Sequence, residues 1–192
     1  AKQFKGSEPF ACEIKGLEMP VRDPRGRFDT WMLGYLINTR GGDHLRIRTP
    51  VDDLRDFERS YDYEPLSLSP AELELVDMPQ FVKESILNTQ LKRTYIPAMA
   101  KYSEELMVLL NSMGLCIRPP VLRTIGPSLM AEAFNALYDC DLDENDLLSI
   151  AERVINLQPL FNLEQGMTFN DYCFPERFYE EQVDFVGGKR EP

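Results

Sequence analysis

Histidine, tryptophan and cysteine are what this chain has least of: one, one and four among 192 residues. With a single imidazole, His44, a catalytic dyad uses that residue or none. The four cysteines (Cys12, Cys116, Cys140, Cys173) include no Cys-x-x-Cys pair, which argues against a self-contained zinc site. A disulfide framework does not suit a chain of this length without a signal peptide, and reduced thiols in a cytoplasm fit best. No run of about 18 apolar residues occurs, so no transmembrane helix is expected. The N-terminus also lacks the basic-then-apolar pattern of an export signal. The net charge of −11 leaves too little clustered Lys and Arg for a phosphate-backbone binder. The chain opens on Ala1-Lys2-Gln3 rather than methionine, which fits a processed chain or an excised fragment.

What remains is 43% hydrophobic, enough for one ordinary core. Residues 1–27 are rich in turn formers. Phe10, Cys12 and Ile14 alternate with Ala11 and Glu13, which permits a short strand. Gly16-Leu17-Glu18-Met19-Pro20 and Arg22-Asp23-Pro24-Arg25-Gly26 read as a fixed loop with a basic rim. Residues 28–39 hold Trp31, Met32, Leu33, Tyr35, Leu36 and Ile37, apolar nearly all round. The pattern predicts a buried helix capped by Asp29 or Thr30, with Gly34 admitting another backbone. The double glycine of Arg40-Gly41-Gly42-Asp43-His44-Leu45-Arg46 ends that helix and turns the chain sharply. His44 is then either a filler of surface or core, or a proton-handling group.

Val51 to Tyr63 is acidic and mixed, the pattern of a solvated helix. Ser67-Leu68-Ser69-Pro70-Ala71-Glu72 is a helix start, with a serine cap, a proline in the first position and an acid soon after. Pro97 interrupts the helical body that begins near Ile86, and a fresh helix is expected from about Ala98 to Met113, carrying Met99, Tyr102, Leu106, Leu109 and Leu110. It ends at Asn111-Ser112-Met113-Gly114-Leu115-Cys116, where the glycine is a left-handed stop. That stop brings a cysteine and several unpaired amides to one point, which can hold a metal cluster or an anionic cofactor or be a plain helix end. Gly126-Pro127-Ser128 opens another helix reaching about Tyr138, and Cys140 beyond it reads as a buried thiol. Asp143 caps a third helix through Leu147, Leu148, Ala151, Val154 and Ile155, which Pro159 ends or bends near Gln158. The tail, Asn162 to Pro192, is expected to wrap over the helices and to fray from Gly187-Gly188 onward. The fold class is mainly α: a single irregular helical domain, residues 1–192, with an N-terminal loop-rich region.

Four of these segments, in this order, resemble the C-terminal domain of the tungsten-containing aldehyde ferredoxin oxidoreductase family. They are the Gly16–Pro20 and Asp23–Gly26 loop, the Arg40–Leu45 turn, Asn111–Cys116, which looks like an Asp-x-x-Gly-Leu-Cys motif, and the stretches Glu152–Leu157, Phe161-Asn162, Glu164–Gly166 and Pro175–Phe178. The resemblance covers about residues 10 to 181. It departs at Asn111, where the family usually has aspartate, at Pro159, which interrupts a usually continuous helix, and over residues 50–90, which look longer. The pterin-binding N-terminal domain and its cluster-binding Cys-x-x-Cys segment are absent from this chain.

The resemblance implies a tungsten (or molybdenum) atom held by two pterins beside a 4Fe-4S cluster in the complete enzyme, and none bound by this chain alone. It makes Cys116 the fourth cluster ligand, and has Asn111, Gly114 and Leu115 cradle one pterin. Arg46 would be a basic pterin contact and His44 a proton-moving group near the metal. The implied function is aldehyde oxidation to carboxylic acid with electrons passed to ferredoxin. Its partners would be the N-terminal domains of the same enzyme and ferredoxin, with no nucleic acid and no membrane. Two alternatives stand beside it: a non-catalytic helical interaction module, and a relative acting on another substrate such as an aromatic thioester.

Overall fold

The computed structural model describes residues 4–20, 30–51, 68–87, 95–121, 123–180, 183–185 and 188–190. The Arg22–Gly26 loop, a cap at Asp29 and nearly all of the acidic stretch from Val51 to Tyr63 lie outside them. In chain order the elements are β1 (Glu13–Ile14), β2 (Leu17–Glu18), α1 (Thr30–Ile37), α2 (Pro70–Leu73), α3 (Gln80–Leu87), α4 (Ile96–Met113), α5 (Arg118–Val121), α6 (Pro127–Tyr138), α7 (Glu144–Glu164), α8 (Arg177–Glu180), β3 (Val183–Phe185) and β4 (Gly188–Arg190). The class is mainly helical with a loop-rich N-terminus, as the composition and periodicity predict.

The centre is α4. Its buried residues include Met99, Tyr102, Leu106, Met107, Leu109 and Leu110, which lie on more than one side of the helix, so it must be covered from several directions. It packs against α1, α3 and α7, and α6 packs on α7. The main core joins α4 to Leu73, Val82, Ile86, Met130, Leu147, Leu148 and Ala151. A second, smaller core gathers Ile14, Tyr35, Phe174 and Phe178. There the tail folds back over the N-terminal hairpin and α1, with the two phenylalanine rings stacked at 5.6 Å.

Local chemistry fixes the helix ends. Ser69 and Glu72 form a reciprocal capping box with Pro70 in the first turn of α2, and Asp143 and Asp146 do the same at α7. Pro97 sits in the first turn of α4, where its missing N–H costs nothing. Gly126 and Pro127 open α6 as expected.

Several expectations are corrected. Of the two outcomes expected at Pro159, an end of α7 there is excluded: the helix runs on to Glu164, and the Gln165 amide still reaches Phe161 O, although the ring has no N–H to offer Ile155 O. Cys140 is exposed, not buried, because the α6–α7 connection closes on Asn135, whose amide takes both backbone groups of Leu142 and the Cys140 thiol at 3.3 Å. Gly188 belongs to β4, paired antiparallel with β3, rather than to a frayed end. Only Glu13–Ile14 of the stretch from Phe10 is a strand. Its partner Leu17–Glu18, expected as loop, is joined to it by Lys15-Gly16, both at positive φ (53° and 74°), the conformation of a two-residue hairpin. What faces Gly34 is a side chain, not a backbone: a Cβ there would lie 2.0 Å from Ile47 Cγ2. Thr30 is the first residue of α1, with its hydroxyl buried.

Candidate cofactor-facing site

The turn after α1 wires itself. Buried Asn38 donates from Nδ2 to Asp43 O and accepts from the Arg40 amide at 2.9 Å. Asp43 accepts from the Leu45 amide at 2.8 Å and pairs with Arg40 at 3.0 Å. The double glycine lets this turn lie against the hairpin: a Cβ on Gly41 (φ 119°) would stand 2.5 Å from Ile14 O. Two side chains of α7 grip it from the other side. Thr39 Oγ1 donates to Gln158 at 2.8 Å, and Asn162 donates to Thr39 O at 2.7 Å. These bonds span about 120 residues of chain and fix where His44 and Arg46 emerge.

The two basic groups of the turn part ways. The half-buried His44 ring stacks on Trp31 at 4.8 Å with 14° between planes, with Tyr35 edge-on at 6.2 Å. The Arg48 guanidinium lies 4.4 Å over the Trp31 ring. Arg46 instead is exposed and lines two concavities. One is an open cleft of about 430 Å³ between the turn and α7, with Arg40, Leu157, Gln158 and Phe161 among its walls. The other is a cavity of about 10 Å³ behind it, lined by Arg46, Asn38, Gln158, Ile155 and the α4 residues Glu104, Met107, Val108 and Asn111. The structure therefore brings Arg46 and Asn111 to one wall, and His44 lines neither space.

One turn beyond Asn111 comes the end of α4. Gly114 is left-handed (φ 69°), the Gly114 amide bonds Asn111 O, and the Leu115 amide bonds Leu110 O at 2.9 Å. This is a Schellman closure. It corrects one expectation: the amides of Gly114 and Leu115 are used by the helix itself. Cys116, the next residue, is exposed together with Leu115 and Asn111. A Cβ at Gly114 would meet nothing within 4 Å, so the cap faces open space.

An exposed thiol on a rigid helix end fits a cluster ligand, and the exposed Asn111 amide near a guanidinium fits an anionic, hydrogen-bonding heterocycle. Among the described residues, no group of three or more His, Cys, Asp or Glu side chains is placed to hold a metal ion. Any cluster using Cys116 thus draws its other ligands from elsewhere.

Sequence reasoning passed over Glu104 and Lys15. Burial pushes the Glu104 carboxyl up to about 7, neighbouring Glu105 adds to the rise, and Lys15 opposes it. Burial also lowers the Lys15 ammonium to about 8, against Glu104, Asp171 and Cys173. Lys15 donates to Leu36 O and, at 3.0 Å, to Asn38 O, and stands 3.8 Å over the Tyr172 ring. It thereby closes the C-terminus of α1. The available signal for Glu104 was its spacing: seven residues before Asn111, on the same helical face.

The site thus consists of a central helix that ends in a cysteine-bearing cap, beside a basic turn clamped by a second long helix. The sequence pattern described as "Aldehyde ferredoxin oxidoreductase, domains 2 & 3" matches residues 1–191, and the chain belongs to that family. It is similar to the tungsten-containing aldehyde ferredoxin oxidoreductases of Thermococcus kodakarensis (27% identical over 182 residues, 94% of this chain and 25% of that protein) and Pyrococcus horikoshii (28% over 184, 95% and 25%). That of Pyrococcus furiosus is 27% identical over 179 residues, again 25% of its length. The chain therefore spans about a quarter of the curated relatives it matches.

Proposed function

We propose that this chain is the C-terminal, cofactor-enclosing domain of a tungstopterin oxidoreductase that converts aldehydes to carboxylic acids in the cytoplasm and hands the electrons to ferredoxin. The observation that carries this is the shared wall of Arg46 and Asn111, one helical turn from an exposed Cys116, in a chain of this family. When bound, the metal and its pterins supply the two-electron chemistry. This chain's residues bind and orient. Arg46 neutralises an anionic pterin group, and Asn111 hydrogen-bonds the heterocycle without adding charge. Gly114 and Leu115 leave the approach to the cap open, and Cys116 contributes one thiolate to a 4Fe-4S cluster. His44, held by Trp31, moves a proton near the reacting centre.

The remaining ligands and pterin contacts come from the N-terminal domains of the same enzyme, so the 192-residue domain is inactive in isolation. The outer side of α7 supports this partner. Leu157, Leu160 and Phe161 are each more than half exposed at helical spacing, and Leu157 and Phe161 line the Arg46 cleft, an apolar surface that a packed domain would cover.

An immunoblot of the native source under denaturing conditions, with metal analysis of the native complex, tests this reading. Tungsten and iron migrating with this polypeptide, whether as a longer chain or as a subunit of this length, support it. The polypeptide without either metal sinks it and leaves a non-catalytic interaction module. Reproducible tungsten and iron in the isolated domain would contradict the need for partner domains.

A further inference from the structure

The small cavity behind the cleft has a composition that packing alone does not explain. Its volume of about 10 Å³ is close to the lower limit for one water molecule. Around it stand the polar residues Asn38, Arg46, Glu104, Asn111 and Gln158. Asn38 and the Gln158 oxygen are already bonded within the turn, and Arg46, Glu104 and Asn111 supply the two to four partners a buried water needs. Pro159 adds another acceptor. Having no N–H, it leaves the carbonyl of Ile155, a residue that lines the cavity, without its usual helical donor. Glu104 makes no hydrogen bond or ion pair to a described residue, while its neighbour Glu105 is tied up by Lys101.

We propose that Glu104 is a proton-exchanging residue of the cofactor site, reached from the Arg46 cleft through one water in this cavity and held in balance by Lys15. The proposal rests on the functional reading above. Oxidation of an aldehyde with water yields a carboxylate, three protons and two electrons. The electrons leave one at a time on ferredoxin, and the protons must leave by side chains and water. In the step assigned here, a proton arriving from the cleft binds the cavity water, and that water passes a proton to the Glu104 carboxylate. An O–H bond forms at Glu104 and one breaks at the water, which is left as it began. Glu104 ionises again when the proton returns through the same water to solvent in the open cleft.

The charged groups acting on Glu104 are Glu105, next to it on α4, and Lys15 of the hairpin turn, and Arg46 lines the same cavity. Beyond them, Asp171 and Cys173 act on Lys15, and Lys101 and Glu152 act on Glu105. The carboxyl range near 7 suits repeated exchange at neutral pH.

The test uses the intact protein that carries this chain, with its glutamate carboxyls labelled with carbon-13. The resonance lost in Glu104→Gln identifies Glu104, and its midpoint is expected near 7; a midpoint in the ordinary range near 4.5 overturns the proposal. Aldehyde oxidation is then followed against pH at equal tungsten and iron content. The wild-type profile should carry a limb near pH 7 that Glu104→Gln abolishes and Glu104→Asp keeps at a displaced pH. A profile unchanged by Glu104→Gln overturns the proposal even if the midpoint is as expected. A wild-type protein without tungsten removes the reaction and overturns both the proposal and the functional reading, and the metal assay separates that failure from the others.

Discussion

Two residues with opposite surroundings test the site from different directions. Cys116 is exposed and outside both cores, so Cys116→Ser should leave the unfolding midpoint unchanged while removing a cluster ligand. Glu104 is the reverse case. Its folded carboxyl lies near 7 against an ordinary 4.5, so the native state binds more protons than the unfolded chain between those values. Stability from this group is therefore greatest below pH 4.5, falls as pH rises through the window, and is lowest above 7. Glu104→Gln should be nearly neutral at pH 4 and stabilise at pH 8 by up to about 3 kcal/mol, measured by urea unfolding at both pH values. Equal effects at the two values would contradict the buried environment. Gly41 tests the turn's contact with the hairpin: Gly41→Ala puts a methyl against Ile14 O at a left-handed φ and should cost about 2–3 kcal/mol in urea unfolding.

At the scale of elements, what was legible in the sequence was what local chemistry decides. Ser69, Asp143, Pro97, Gly114 and Pro127 mark helix ends because capping needs only a few consecutive residues. Asp143→Ala should accordingly lower stability by about 1 kcal/mol in thermal or urea melts. The features missed depend on partners far along the chain. Nothing near Thr39 announces that Gln158 and Asn162 will grip it, and nothing near Glu104 announces Lys15 or the cavity. Pro159 read as an end or a bend because a proline is disfavoured inside a helix. Here the residues on either side of it, Gln158 and Asn162, are anchored to the turn, and those tertiary bonds help to hold the helix through the defect. Cys140 misled for a similar reason, since the preference of free thiols for the interior is a tendency that the Asn135-wired turn overrides. Of the candidate site, residue types at motif spacing were visible. That Arg46 shares a wall with Asn111 while His44 turns to Trp31 was not, because spacing carries no side-chain direction.

At the scale of the molecule, the exposed apolar side of α7 is the surface that the proposed partner domain would cover. Changing Leu157 and Phe161 together to glutamate should leave the fold's melting unchanged, since both side chains are already exposed, but weaken association with the proposed partner domains at least tenfold by co-purification. The most direct measurement is the electron paramagnetic resonance spectrum of the reduced, complete protein with and without Cys116→Ser. If this helix end supplies a cluster ligand, the 4Fe-4S signal is lost or altered and the iron content falls, with the fold intact. An unchanged signal at unchanged iron content would mean that Cys116 binds no cluster and that the site has been assigned to the wrong wall of the domain.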